Sequence, residues 1–110
     1  MTVRHDYGHE EFRASYTGAQ TNTLLIQTQE NRQIVIDSIT LGTDTAGYGE
    51  LTDGTNPKGP RIYTQVNDSE QKGNEHYIIF ENGKNVCFTS NIAGNHTLYM
   101  IYHWETVSKP

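Results

Sequence analysis

Five histidines, one cysteine and thirteen carboxylates are the side chains of this chain suited to acid–base, nucleophilic or metal chemistry. His5 and His9 lie four residues apart, with Asp6, Glu10 and Glu11 beside them. On a helix, that spacing would set two imidazoles and a carboxylate on one face, a donor set for a divalent cation. The segment has no apolar face to make it a helix, so a solvated, acidic, histidine-bearing stretch is the plainer expectation. His76, His96 and His103 fall on strands or strand ends in the last third of the chain. A nucleophile, a base and an orienting group would have to converge there. Cys87, flanked by Val86 and Phe88, reads instead as a packed strand residue.

No serine sits in a G-x-S-x-G elbow. Glu50, Asp53, Glu70, Glu75 and Glu81 form no readable pair for glycoside hydrolysis. Asp53-Gly54 and Asn82-Gly83 are not followed by the ligand ladder of an EF-hand. The ten glycines fall at turns and form no phosphate loop. The expectation is a protein that is not an enzyme, with no catalytic, cofactor-binding or metal-ligating residues.

The elements around these residues are strands. Apolar residues make up 34% of the 110 positions, which suits a thin sandwich. Thr, Asn, Gly and Tyr are plentiful while Ala and Leu are scarce, a bias toward strands and tight turns. TNTLLIQTQ (21–29) predicts a strand and ENR (30–32) a turn. RQIVIDSITLGT (32–43) predicts a longer strand whose alternation slips: Ile34 and Ile36 share one parity, Ile39 and Leu41 the other. Such a slip is what a β-bulge produces, here near Asp37–Ser38. AGYGELTDG (46–54) and RIYTQV (61–66) predict two further strands, separated by a proline-containing loop. NDSEQKGN (67–74), without an apolar residue, predicts an exposed loop.

HYIIFENGKNVCFTS (76–90) reads as two strands of a hairpin around Asn82-Gly83, because a type I′ turn needs positive φ at both central positions. NHTLYMIYHWE (95–105) completes the set. Seven strands at intervals of about ten residues predict an all-β antiparallel sandwich or jelly roll of about seven to eight strands. Residues 1–20 are polar, with three acids, two arginines and two histidines in the first thirteen positions. They are expected to form an extended N-terminal arm, leaving 21–110 as the single sandwich domain.

The expected core comprises Leu25 or its neighbours, Ile34, Ile36, Ile39, Leu41, Leu51, Ile78, Phe80, Val86, Phe88, Leu98, Met100, Tyr102 and Trp104. Each contributes roughly 1.5–3 kcal/mol if fully buried. The last strand then has a surplus. Its other face carries Thr97, Tyr99, Ile101 and His103, richer in apolar surface than a solvated face should be. Another protein chain, a sugar or a loop of the same chain would cover it. Tyr99, Ile101 and His103 are the expected interface residues, since interfaces enrich aromatic side chains.

The net charge of −5 argues against a nucleic-acid partner, and no apolar run approaches the ~20 residues of a membrane helix. The leading residues hold no hydrophobic signal region, so synthesis in a cytosol is expected and Asn67 and Asn95 are read as chance glycosylation matches.

Two stretches, NTLLIQTQENRQIVIDSITLGTDTAGYGELTDG and IIFENGKNVCFTSNIAGNHTLYMIYHWE, carry a resemblance. The first pairs I-x-I-x-x-I-x-L with x-L-x-D-G, and the second has an aromatic-x-N-G hairpin, a G-N turn and a final strand ending in aromatic-x-x-E. Over residues 21–105 the chain resembles small all-β structural proteins of tailed-bacteriophage virions. The resemblance implies a capsid decoration or cement protein at the virion surface. Such proteins oligomerise, often as trimers, and bind the major capsid or other virion proteins. It carries over no site residue and no cofactor. A carbohydrate-binding or host-adhesion sandwich module is the alternative.

Overall fold

The computed structural model describes residues 2–5, 8–73, 77–81 and 83–108. They form ten strands: β1 (Thr2–His5), β2 (Glu10–Thr17), β3 (Gln20–Ile26), β4 (Arg32–Thr43), β5 (Gly47–Thr52), β6 (Ile62–Thr64), β7 (Asp68–Lys72), β8 (Ile78–Phe80), β9 (Val86–Ser90) and β10 (Asn95–Ser108). All pairings are antiparallel. One sheet has β10 and β4 at its centre, with β1 and β2 following one another along the far side of β10, and β7 and β8 along the far side of β4. The other runs β3-β9-β5-β6. The two sheets form the expected all-β antiparallel sandwich, 48 × 25 × 19 Å along its principal axes.

The apolar residues of alternating parity meet between the sheets. Ile34, Ile36, Ile39, Leu41, Leu98, Met100, Ile78 and Phe80 pack from the six-stranded side. Leu51, Ile62, Val86, Phe88 and Ile26 come from the four-stranded side. Tyr102 and Trp104 are half-buried against this core, while among the neighbours of Leu25 it is Ile26 that is buried and Leu24 that is exposed. Gly49 permits the close approach at the centre: a Cβ there would meet Phe88 Cε1 at 2.8 Å and Leu41 Cδ2 at 2.9 Å.

The slip in β4 is real. Ser38 pairs with Ile101 and Ile36 with Tyr102, so Asp37 is the extra residue opposite β10. The bulge lets Ile34, Ile36, Ile39 and Leu41 all face the core despite their opposite parities. Asn31 turns β3 into β4 at φ 62°, as the expected 30–32 turn requires.

Three expectations are corrected. Much of the segment expected as an arm joins the six-stranded sheet: β1 pairs with residues 105–108 of β10, and β2 pairs with 95–102. In β2, Phe12, Ala14 and Tyr16 alternate with Glu11, Arg13 and Ser15, a weak period-2 signal that adds an edge to the sheet. Within the polar stretch 67–74, Asp68–Lys72 is a strand on β4, because an edge strand is held by its backbone and its side chains can face water. Finally, β8 and β9 are not hairpin partners. β8 pairs with β4 in one sheet and β9 with β3 and β5 in the other, so the turn carries the chain across the sandwich. Gly83 sits there at φ 88°, while Asn82 lies outside the described residues.

Candidate functional site

The densest group of titratable side chains gathers on the outer face of the six-stranded sheet, around His103. The bulge turns Asp37 toward β10, and His103 Nδ1 lies 2.7 Å from Asp37 Oδ2. The other ring nitrogen, Nε2, is 2.9 Å from Glu105 Oε2, two residues along the same strand face. Glu105 Oε1 accepts a hydrogen bond from Gln33 Nε2 at 2.7 Å. His9, in the β1–β2 connection, reaches over the group: its Nε2 is 3.3 Å from Asp37 Oδ2, and its ring stands edge-on to His103 with centroids 5.4 Å apart.

Burial divides the group into an inside and an entrance. His103 is 0% exposed and Asp37 3%, whereas the His9 side chain is 53% exposed. With both carboxylates ionised, each His103 nitrogen donates to one of them and the ring is an imidazolium. Burial opposes that charge and is the largest single influence on it. The hydrogen bonds to Glu105 and Asp37, with the charges of both, outweigh burial and hold the His103 pKa above the ordinary imidazole value. His9, Asp37 and His103 each offer a ligand atom, and these atoms all lie within 4.8 Å of one another.

A second histidine pairs with a hydroxyl. His96 Nδ1 donates to the Gly94 carbonyl at 3.0 Å, which leaves Nε2 to accept from Ser90 Oγ at 3.0 Å. Ser90 is 4% exposed and its oxygen also accepts from the Gln20 amide at 3.2 Å. A serine that no substrate reaches is a tie between the two sheets, not a nucleophile. A cavity of about 400 Å³ opens beside His96, lined by Ser15, Tyr16, Asp44, Asn95 and Thr97 among others, and Ser90 is not part of its lining. Cys87 is buried beneath the Asp53–Gly54 turn; burial first, then the Asp53 charge, pushes its thiol pKa up, the reverse of an activated cysteine.

The expected interface residues separate. His103 is enclosed within the chain and offers nothing to a partner. Tyr99 and Ile101 stay half-buried on the outer face, and β2 covers part of them. The Tyr99 hydroxyl donates to Glu11 at 2.8 Å, and the Arg13 guanidinium lies 4.9 Å from its ring centroid. Ile79 of β8, 41% exposed, shares this face, since it pairs with Val35, which in turn pairs with His103. His9 is in the group, but its sequence neighbour in the helical reading, His5, lies in β1 instead. His76 lies outside the described residues. Spacing alone had no way to join His9 to Asp37 and His103; the one signal was the parity slip that turns Asp37 outward.

No protein-family model matches the chain, and no curated protein does. Among solved structures, two of the coat protein of Tobacco streak virus are similar. The coat protein dimer has a TM-score of 0.48 at 11% identity, covering 91% of this chain and 86% of that one. A second crystal form gives 0.47 at 11% identity, covering 91% and 87%.

Proposed function

We propose that this chain is a non-enzymatic structural protein of a virus particle, a capsid decoration or cement protein of the tailed-bacteriophage kind that self-associates and binds neighbouring capsid subunits. The observation that carries the reading is the outer face of the six-stranded sheet, where Tyr99 and Ile101 stay half-buried and Ile79 is exposed, with no second layer of sheet over them. The strand and turn pattern over residues 21–105 supports the virion assignment. Among the described residues, the buried polar side-chain atoms all have hydrogen-bond partners, so the polar groups of the interior are committed to holding the sandwich. A thin domain gains stability from a partner that buries such a face.

The test is light scattering coupled to size exclusion. The wild type is expected to be an oligomer, and Tyr99→Glu, which sets a second carboxylate beside Glu11, a monomer with strand-rich circular dichroism. A wild type that stays monomeric at high concentration removes self-association. Purified particles of the source virus that lack the chain remove the virion role.

A specific feature favours one second reading, a carbohydrate-binding module. On the outer face of the other sheet, Tyr63 is 63% exposed, its ring centroid lies 5.9 Å from that of Tyr48, and Arg61 stacks 4.0 Å above Tyr48. Exposed aromatic rings flanked by a charged donor suit sugar stacking. Oligosaccharide titrations that show binding lost in Tyr63→Ala would favour it, and silence across a broad glycan panel removes it.

A further inference from the structure

We propose that His9, Asp37 and His103 bind one divalent transition-metal ion of the zinc class, with Glu105 and Gln33 as the supporting groups. The inference goes beyond the virion reading and stands without it. The three side chains come from three places that the fold alone brings together: the β1–β2 connection, the β4 bulge and β10. Metal–ligand bonds of ~2.0–2.2 Å in a tetrahedral shell put neighbouring donor atoms about 3.3–3.6 Å apart. His9 Nε2 and Asp37 Oδ2 already stand at 3.3 Å. The 2.7 Å between Asp37 Oδ2 and His103 Nδ1 has to open by only about 0.6 Å, within the reach of a carboxylate rotation.

The surroundings fit a metal-bound imidazole. Such a ring ordinarily donates its remaining N–H to a carboxylate, which fixes its tautomer and orientation. His103 Nε2 has that partner in Glu105 at 2.9 Å, and Glu105 is itself held by Gln33 at 2.7 Å. When the ion binds, the proton on His103 Nδ1 leaves to solvent and the freed lone pair turns to the metal. The Nε2 proton stays on the Glu105 side. His9, half in water, supplies the second imidazole at the exposed side of the group, where an ion would enter. Two imidazoles and a single carboxylate select zinc over calcium or magnesium, which prefer shells of oxygen. The bound ion would pin His9 of the β1–β2 connection to β4 and β10.

The test uses the full chain, stripped with a chelator and titrated with zinc chloride by calorimetry and with cobalt(II) by visible absorption. The expected result is one ion per chain, a thermal midpoint that rises with free zinc, and a cobalt spectrum of tetrahedral intensity. His9→Ala keeps the Asp37–His103–Glu105 hydrogen bonds and is expected to abolish binding. Glu105→Gln is expected to weaken it by about 10–100-fold. Zinc binding that persists unchanged in His9→Ala, or a wild type that gives neither heat nor thermal shift at saturating zinc, overturns the proposal.

Discussion

His103 and Asp37 are 66 residues apart in sequence and 2.7 Å apart in space, and both are buried on the outer face of the six-stranded sheet. The pair exists because β4 holds one residue more than β10 needs. In a regular strand, two of the four core-facing residues Ile34, Ile36, Ile39 and Leu41 would leave the core.

Removing one member of that pair should be expensive. Asp37→Ala in metal-free protein leaves a buried imidazole without one of its two acceptors, and the expected loss is about 3–5 kcal/mol in urea unfolding, the range for breaking a buried ion pair from one side. A loss below ~1 kcal/mol would mean that the pair is no more than a surface salt bridge in energetic terms.

Gly49 is expected to resist any side chain. Gly49→Ala drives a Cβ to within 2.8–2.9 Å of Phe88 and Leu41, both in the packed centre. Overpacking of this kind costs about 1–3 kcal/mol, read as a lower urea midpoint at an unchanged slope.

Acid should act on the turn after β5. Asp53 Oδ1 accepts from the amides of Thr55 and Asn56 at 3.0 and 2.8 Å. The Asn56 amide, then the Thr55 amide, hold its carboxyl below the ordinary value of 3.8. A carboxyl depressed in the folded state contributes stability that is complete above the unfolded value and is lost as pH falls through the folded one. Thermal midpoints of the wild type and Asp53→Asn should therefore differ in pH dependence only below about pH 4. An identical acid profile for the two proteins would show that the turn does not report on folding.

Truncation tests the β2 edge. Deleting residues 1–19 removes the strand that covers Tyr99 and pairs along residues 95–102 of β10. The shortened chain is expected to lose its cooperative thermal transition or to aggregate through the bared β10 edge. A soluble, cooperatively melting fragment would instead mean that residues 1–19 are a dispensable appendage.

The strands with strong apolar alternation were legible, and so was the bulge, because Ile34, Ile36, Ile39 and Leu41 could share a core only if a residue were skipped. β2 and β7 were not: Phe12 and Tyr16 are sparse among charges, and β7 has no apolar residue at all. Strands held at a sheet edge by backbone hydrogen bonds leave little trace in side-chain pattern. The 76–90 stretch misled for another reason, since turn chemistry reports that the chain reverses but not which sheet the next strand joins. His103 looked like a surface residue because its two acceptors arrive one from a distant strand and one from its own. The Tyr99–Ile101 surplus was legible as a surface in want of a cover, and β2 supplies part of that cover with Glu11 and Arg13.

The position of β10 also sets an order of events. Both β1 and β2 pair with β10, the last strand of the chain. While a ribosome is still making residues 95–108, β1 and β2 have no partner strand. Their docking closes loops of some 80 to 105 residues, the kind of contact that slows folding. Until then the core-facing side chains of β2 stand in water. The larger sheet can therefore be completed only once β10 has been made, and β1 and β2 wait on it for their partner.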